Sequence, residues 1–226
     1  MMKKLFSILA CAMMISACSS QSAPQQTEPE KEQETVETTE TSQAADGKTA
    51  VIYFSRVGNT DFDDNMDAMS SASVNRVDDK LKGNAQLMAE WLADESGSDI
   101  MEILVEDFYP VDYNETIDQA KQEQSESFRP ALKEMSGSPE QYDSIYLVIP
   151  NWWGDLPMPV YSFFDQYDFS GKNITVFIAH GGSRFSSTIH SIEELEPNAS
   201  VYEGLELNAD DVANSETAVR EWVKNQ

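Results

Sequence analysis

Three short, unbroken apolar runs constrain this chain most: Ala50-Val51-Ile52-Tyr53-Phe54, Ile145 to Ile149, and Ile174-Thr175-Val176-Phe177-Ile178-Ala179. A strand covered on one face alternates apolar and polar residues, whereas one covered on both faces reads as a continuous run. Strands of that kind need helices above and below them, and helical stripes fill the gaps. Leu87, Met88, Trp91 and Leu92 mark a helix of about Gly83 to Glu95, with Gly97 as its stop. Ile117, Ala120 and Phe128 mark a second, capped by Asn114; Tyr161, Phe164 and Tyr167 mark a third after Pro159. Ile189, Ile192 and Leu195 make a fourth, closed by Pro197, and Val212, Val219, Trp222 and Val223 make the last. Stripes at this spacing read as core. The segments Ile100 to Val105 and Val201 to Leu207 carry acidic residues and read as edge strands. Five strands alternating with helices predict an α/β, doubly wound parallel sheet.

The first 47 residues stand apart from this pattern. Met1-Met2-Lys3-Lys4 is a basic start, and Leu5 to Ala17 is an apolar run too short to span a bilayer as a permanent helix. Residues 1–17 read as a signal peptide. The sequence Ile15-Ser16-Ala17-Cys18 resembles the lipobox of bacterial lipoproteins. That resemblance implies cleavage before Cys18, acylation of its thiol, and a lipid anchor on the outer side of the cytoplasmic membrane. Residues 18–47 hold Gln, Thr, Glu, Ser and Pro with almost nothing apolar, which predicts a disordered acidic tether. As a coil it would span about 30 Å. Residues 48–226 remain for one domain.

Charge and cysteine usage narrow the chemistry. The net charge of −25 argues against nucleic acid and against adsorption to anionic lipid, and suits a basic protein partner. The chain has two cysteines, Cys11 in the leader and Cys18 at the lipidation site, so the domain has no thiol nucleophile, disulfide or Cys-ligated metal. Asp61, Asp63 and Asn65 match the start of a calcium loop, but Met66 stands where its glycine belongs, and no metal site is expected. Met66 and Met69 could instead cover a ligand as a lid.

The loops that follow the apolar runs carry the functional signal. Ser55-Arg56-Val57-Gly58-Asn59-Thr60 follows the first run, Pro150-Asn151-Trp152-Trp153-Gly154 the second, and His180-Gly181-Gly182 the third. Gly- and Ser-rich loops at the carboxyl ends of parallel strands are where such sheets bind flat phosphorylated ligands. A phosphate needs backbone N–H groups leading into a helix N-terminus. Here the helix begins near Gly83-Asn84-Ala85, so Ser55 and Arg56 would start the site and Gly83, Asn84 and Ala85 finish it. Residues 57–82 are then an insertion. The rival reading hands the phosphate to Gly58, Asn59 and Thr60 directly. Trp152 or Trp153 offers an aromatic face for a planar ring. Gly154, Gly181 and Gly182 let backbone approach its edge, and His180 either donates to the ring or caps the next helix.

Over 48–226 these motifs resemble the short-chain flavodoxin-like family. The resemblance implies a three-layer α/β/α sandwich with a five-stranded parallel sheet in the order 2-1-3-4-5. It also implies FMN as cofactor, one-electron transfer, and a redox partner protein. An FMN-dependent NAD(P)H:quinone-type reductase and a cofactor-free binding module are the alternatives. Ala85 replaces a usual Thr, and Arg184 sits where Gly is commoner. No residue is assigned to covalent catalysis, and Asp155 is the expected carboxylate for tuning the ring's potential.

Overall fold

The computed structural model describes residues 47–63 and 73–226. The leader, Cys18 and nearly all of the tether lie outside the described residues, as do Asn65, Met66 and Met69. In chain order the elements are β1 (Thr49–Tyr53), β2 (Val74–Val77), β3 (Lys80–Gly83), α1 (Asn84–Ser96), β4 (Asp99–Glu102), α2 (Tyr113–Glu126) and β5 (Ser144–Pro150). There follow α3 (Met158–Gln166), β6 (Asn173–His180), α4 (Thr188–Leu195), β7 (Ser200–Asn208) and α5 (Glu216–Lys224). Among the described residues no helix is long and apolar enough to cross a membrane.

The main sheet runs β4-β1-β5-β6-β7, all parallel. Counted within the sheet this is the expected order 2-1-3-4-5, with the two acidic segments at its edges. The strand order reverses between β1 and β5, which opens a crevice beyond their carboxyl ends. Alternate residues of the buried strands feed two cores. Ile52, Leu147, Ile149 and Ile178 pack with Val160, Phe163 and Ile192 on the α3–α4 face. Val51, Tyr53, Val148 and Phe177 pack with Leu87, Met88, Leu92 and Val219 on the α1–α5 face. The continuous apolar runs are thereby explained, since both sides of each strand are covered.

Several boundaries differ from the sequence expectation. Helix α1 ends on Gly97 in the left-handed region at φ 69°, as its stop signal implied. Helix α2 is capped by Asp112, whose side chain accepts from the Glu115 amide, rather than by Asn114. Phe128 lies beyond that helix and is exposed. The β4 strand is shorter than expected, because after Ile103 the chain leaves the sheet to pair Val105 with Leu132.

The insertion contains a feature that its composition did not announce. Strands β2 and β3 form an antiparallel hairpin outside the main sheet, turning on Asp78 and Asp79 at φ 50° and 62°. A two-residue left-handed turn matches the twist of a hairpin, and Asp tolerates that region better than most residues. Lys82 ion-pairs with Glu90 of α1, and the Asn84 amide donates to the Ser73 carbonyl at 3.0 Å. The excursion therefore returns to the start of α1.

An ion-pair group ties α1 to α5. Arg220 reaches Asp94 at 2.7 Å and Glu95 at 3.2 Å, and Lys224 reaches Glu95 at 3.3 Å. The Arg220 guanidinium, with Lys224, holds the Glu95 carboxyl below its ordinary value of 4.5. A carboxyl held low in the folded state contributes stability above that value and loses it as pH falls through the folded one. Arg220→Ala is expected to lower the thermal midpoint at neutral pH and to flatten the loss of midpoint below pH 4.5, measured by melting across acid pH.

Candidate functional site

A cavity of about 280 Å³ opens at the carboxyl ends of β1, β5 and β6. One end is polar. Ser55 and Arg56 follow β1 there, and Asn84 and Ala85 bring the first turn of α1 to the same wall. Gly83 sits behind them and permits the junction: a Cβ at this position would stand 1.8 Å from the Ser55 Oγ. The two halves of the split loop, far apart in sequence, therefore meet at a helix N-terminus.

Arg56 is not the surface residue that a charge this size normally is. It is 1 % exposed and lines the cavity. Its guanidinium donates to the carbonyls of Pro110 at 3.2 Å and Val111 at 2.9 Å and to the Thr116 hydroxyl at 3.1 Å. The rings of Phe62 and Tyr113 flank it at 5.0 and 5.5 Å. Burial lowers its pKa, partly opposed by Tyr113 and Asp112. The side chain thus clamps α2 beside the cavity while placing positive charge at the polar end.

Gly58, Asn59 and Thr60 do not line the cavity. Asn59 is fully buried, donating to the Ser55 carbonyl at 2.8 Å and the Ile103 carbonyl at 3.0 Å, and accepting from the Val105 amide at 2.7 Å. Thr60 pairs with Tyr109, and Gly58 packs against Glu102, whose carboxyl burial pushes upward. The geometry therefore turns the rival phosphate tripeptide into a staple between β1 and the segment after β4.

The other end of the cavity is aromatic. Trp152 meets Phe54 and Tyr109 edge-on at 5.3 and 5.2 Å. Tyr109 donates to the buried Glu123 at 2.7 Å, and burial with that carboxylate raises its pKa. Trp153 and Gly154 make a tight turn at φ 55° and 78°, closed by mutual hydrogen bonds between Trp152 and Asp155. The adjacent indoles diverge across this turn rather than along an extended pair: Trp152 reaches the core, while Trp153 is 49 % exposed at the mouth. Both line the cavity, with Pro150 and Asn151. Asn151 joins the loops around the aromatic end, donating to the Arg184 carbonyl at 2.9 Å and accepting from the Gly154 amide at 3.0 Å.

His180 and Gly181 line the cavity, whereas Gly154 and Gly182 do not. The His180 Nδ1 accepts from the Gly182 amide at 2.9 Å, and its Nε2 lies 3.3 Å from Glu206. His180 does not cap α4, whose N-cap is Ser187. Arg184 adopts φ 55°, a region that explains the preference for glycine there, and pairs with Glu206 at 2.8 Å. Asp155 is off the cavity wall, with its carboxylate accepting from Leu156, Ser191 and Tyr161.

Sequence reasoning missed the α2 wall. Tyr113, Thr116, Ile117 and Ala120 all line the cavity, as do Ser73 and Ala209. Ile117 and Ala120 were legible as an apolar stripe, but a stripe facing a cavity and one facing a core have the same period. Among the described residues no group of three or more His, Cys, Asp or Glu could hold a metal.

An open parallel sheet with a cavity at its switch point, polar at one end and aromatic at the other, defines a nucleotide-binding α/β protein. The flavodoxin family model matches residues 79–226, and the chain belongs to the flavodoxin family. The cofactor of that family is FMN. A solved Bacteroides uniformis protein described as a flavoprotein is 27 % identical, with a TM-score of 0.59 over 79 % of this chain and 98 % of that one. One from Bacteroides eggerthii, described likewise, is 23 % identical, with a TM-score of 0.56 over 79 % and 97 %. A Lactobacillus acidophilus flavoprotein in complex with FMN is 20 % identical, with a TM-score of 0.50 over 76 % and 99 %. No curated protein matches the chain.

Two variants separate the two loops. Gly83→Ala is expected to weaken FMN binding by at least about tenfold, because Ser55 or α1 must shift at the polar end. Asn59→Ala strands buried backbone groups and should cost about 2–4 kcal/mol of stability in chemical denaturation.

Proposed function

We propose that this chain holds FMN in the cavity and serves as an electron-transfer protein outside the cytoplasmic membrane, anchored by lipid on Cys18. The observation that carries the reading is the close approach of Gly83 to Ser55, which brings two separated segments together at the polar end of the cavity. The residues present suit the group. A hydroxyl, a buried cation and a helix N-terminus meet at one end for a dianion, and indole faces stand at the other for a ring. Ser55, Arg56, Asn84 and Ala85 would hold the phosphate; Trp152, Trp153, His180 and Gly181 would border the ring. FMN bound there supplies one-electron redox chemistry. The protein's part is to position the ring, keep bulk water from its buried edge, and set its electrostatic surroundings. With a net charge of −25, the chain suits a basic redox partner protein.

The purified domain is expected to show the visible spectrum of oxidised flavin, or to take up FMN when offered it. FMN should bind at least about tenfold more tightly than riboflavin, because the polar end recognises the phosphate. Colourless protein with no uptake, or equal affinity for the two, overturns the reading. Cys18→Ala should move the protein from the membrane fraction to the soluble fraction; an unchanged distribution removes the anchor from the proposal.

A further inference from the structure

The insertion ends in the β2–β3 hairpin, and the base of that hairpin reaches the site. Ser73, the residue before β2, lines the cavity together with Asn84 of α1 and Ala209 of the segment after β7. All three segments are fastened at Asn84. Its main-chain N–H donates to the Ser73 carbonyl at 3.0 Å, and its side-chain amide donates to the Ala209 carbonyl at 3.4 Å. Its side-chain oxygen accepts from the side chain of Asn75 on β2. Asn84 is 3 % exposed, and hydrogen bonds shielded from water in this way hold their geometry.

The pairing of the hairpin brings its base to the polar end. Val74 is buried and pairs with Gly83, the glycine that meets Ser55. Two serines, Ser55 and Ser73, thus arrive at the start of α1 from opposite ends of the insertion. Other hydroxyls are missing there. The Thr60 hydroxyl is buried off the cavity wall with no hydrogen-bond partner among the described residues, and Ala85 has none to offer. A phosphate dianion at a helix N-terminus is held by several converging donors.

We propose that the hairpin base is the outer wall of the phosphate site, and that Ser73 is a binding residue on it. The inference rests on the FMN reading. Ser55 and the start of α1 hold the phosphate from one side, and Ser73 closes the other. The class of ligand that fits is a terminal phosphomonoester. A phosphodiester such as FAD needs a gap where Ser73, Asn84 and Ala209 are joined. Asn75 and Asn84 are positioning residues that keep this wall in place.

Binding of FMN, riboflavin and FAD to the full chain is measured by quenching of flavin fluorescence. The unaltered chain is expected to bind FAD at least about a hundredfold more weakly than FMN. Ser73→Ala should weaken FMN about tenfold while leaving riboflavin within about twofold, because riboflavin has no phosphate for Ser73 to hold. Asn75→Ala, which unfastens the hairpin from α1, should speed FMN release about tenfold and narrow the gap between FMN and FAD. FAD bound as tightly as FMN by the unaltered chain, equal or no loss of FMN and riboflavin in Ser73→Ala, or unchanged FMN release in Asn75→Ala overturns the hairpin wall while leaving the FMN reading intact. Failure of the unaltered chain to take up FMN overturns that reading and the wall with it.

Discussion

The absence of a side chain at Gly83 is the constraint on which the rest of the site depends. The Ser55 hydroxyl occupies the space a Cβ would need, so the end of β1 and the start of α1 lie in van der Waals contact. Flavodoxin-type sheets place a helix N-terminus beside the first strand to hold an anion, and a continuous loop makes that junction automatic. Here the segment between Arg56 and Gly83 leaves and returns, and its hairpin hands the chain directly into α1. The junction survives because the contact is made in space rather than along the chain.

The diverted residues acquire other work. Asn59, in a tripeptide that resembles a phosphate loop, donates to and accepts from backbone groups just after β1 and just after β4. Arg56 spends part of its donor capacity on Pro110, Val111 and Thr116. Together they pin residues 105–116, and so the N-terminal turn of α2, against the cavity. The start of the insertion thereby does more than interrupt a motif: it fastens the segment after β4 to the loop after β1.

The aromatic end follows a similar logic. Asn151 joins the Trp-Trp-Gly turn to the loop after β6, and Tyr109 with Glu123 buttresses Trp152 from behind. Asp155 belongs to this supporting shell, with three donors on its carboxylate, rather than to the cavity. Position next to a functional motif in sequence therefore does not imply position next to the ligand, because a tight turn sends its closing residue away from the face it presents.

The architecture was legible from the sequence because it depends on periodicity. Continuous apolar runs in β1, β5 and β6 reported burial on two faces, acidic interruptions in β4 and β7 reported edges, and Gly97 reported a helix end. The loops at the strand ends were legible too, because Ser55, Trp152, Trp153 and Gly181 carry distinctive chemistry. What only the tertiary structure decided were contacts between residues distant along the chain. Arg56 is buried against Val111, α2 turns its stripe to a cavity, and Gly83 rather than Gly58 meets the polar end. Local pattern encodes which side of an element is apolar; what that side faces is settled by how the elements assemble.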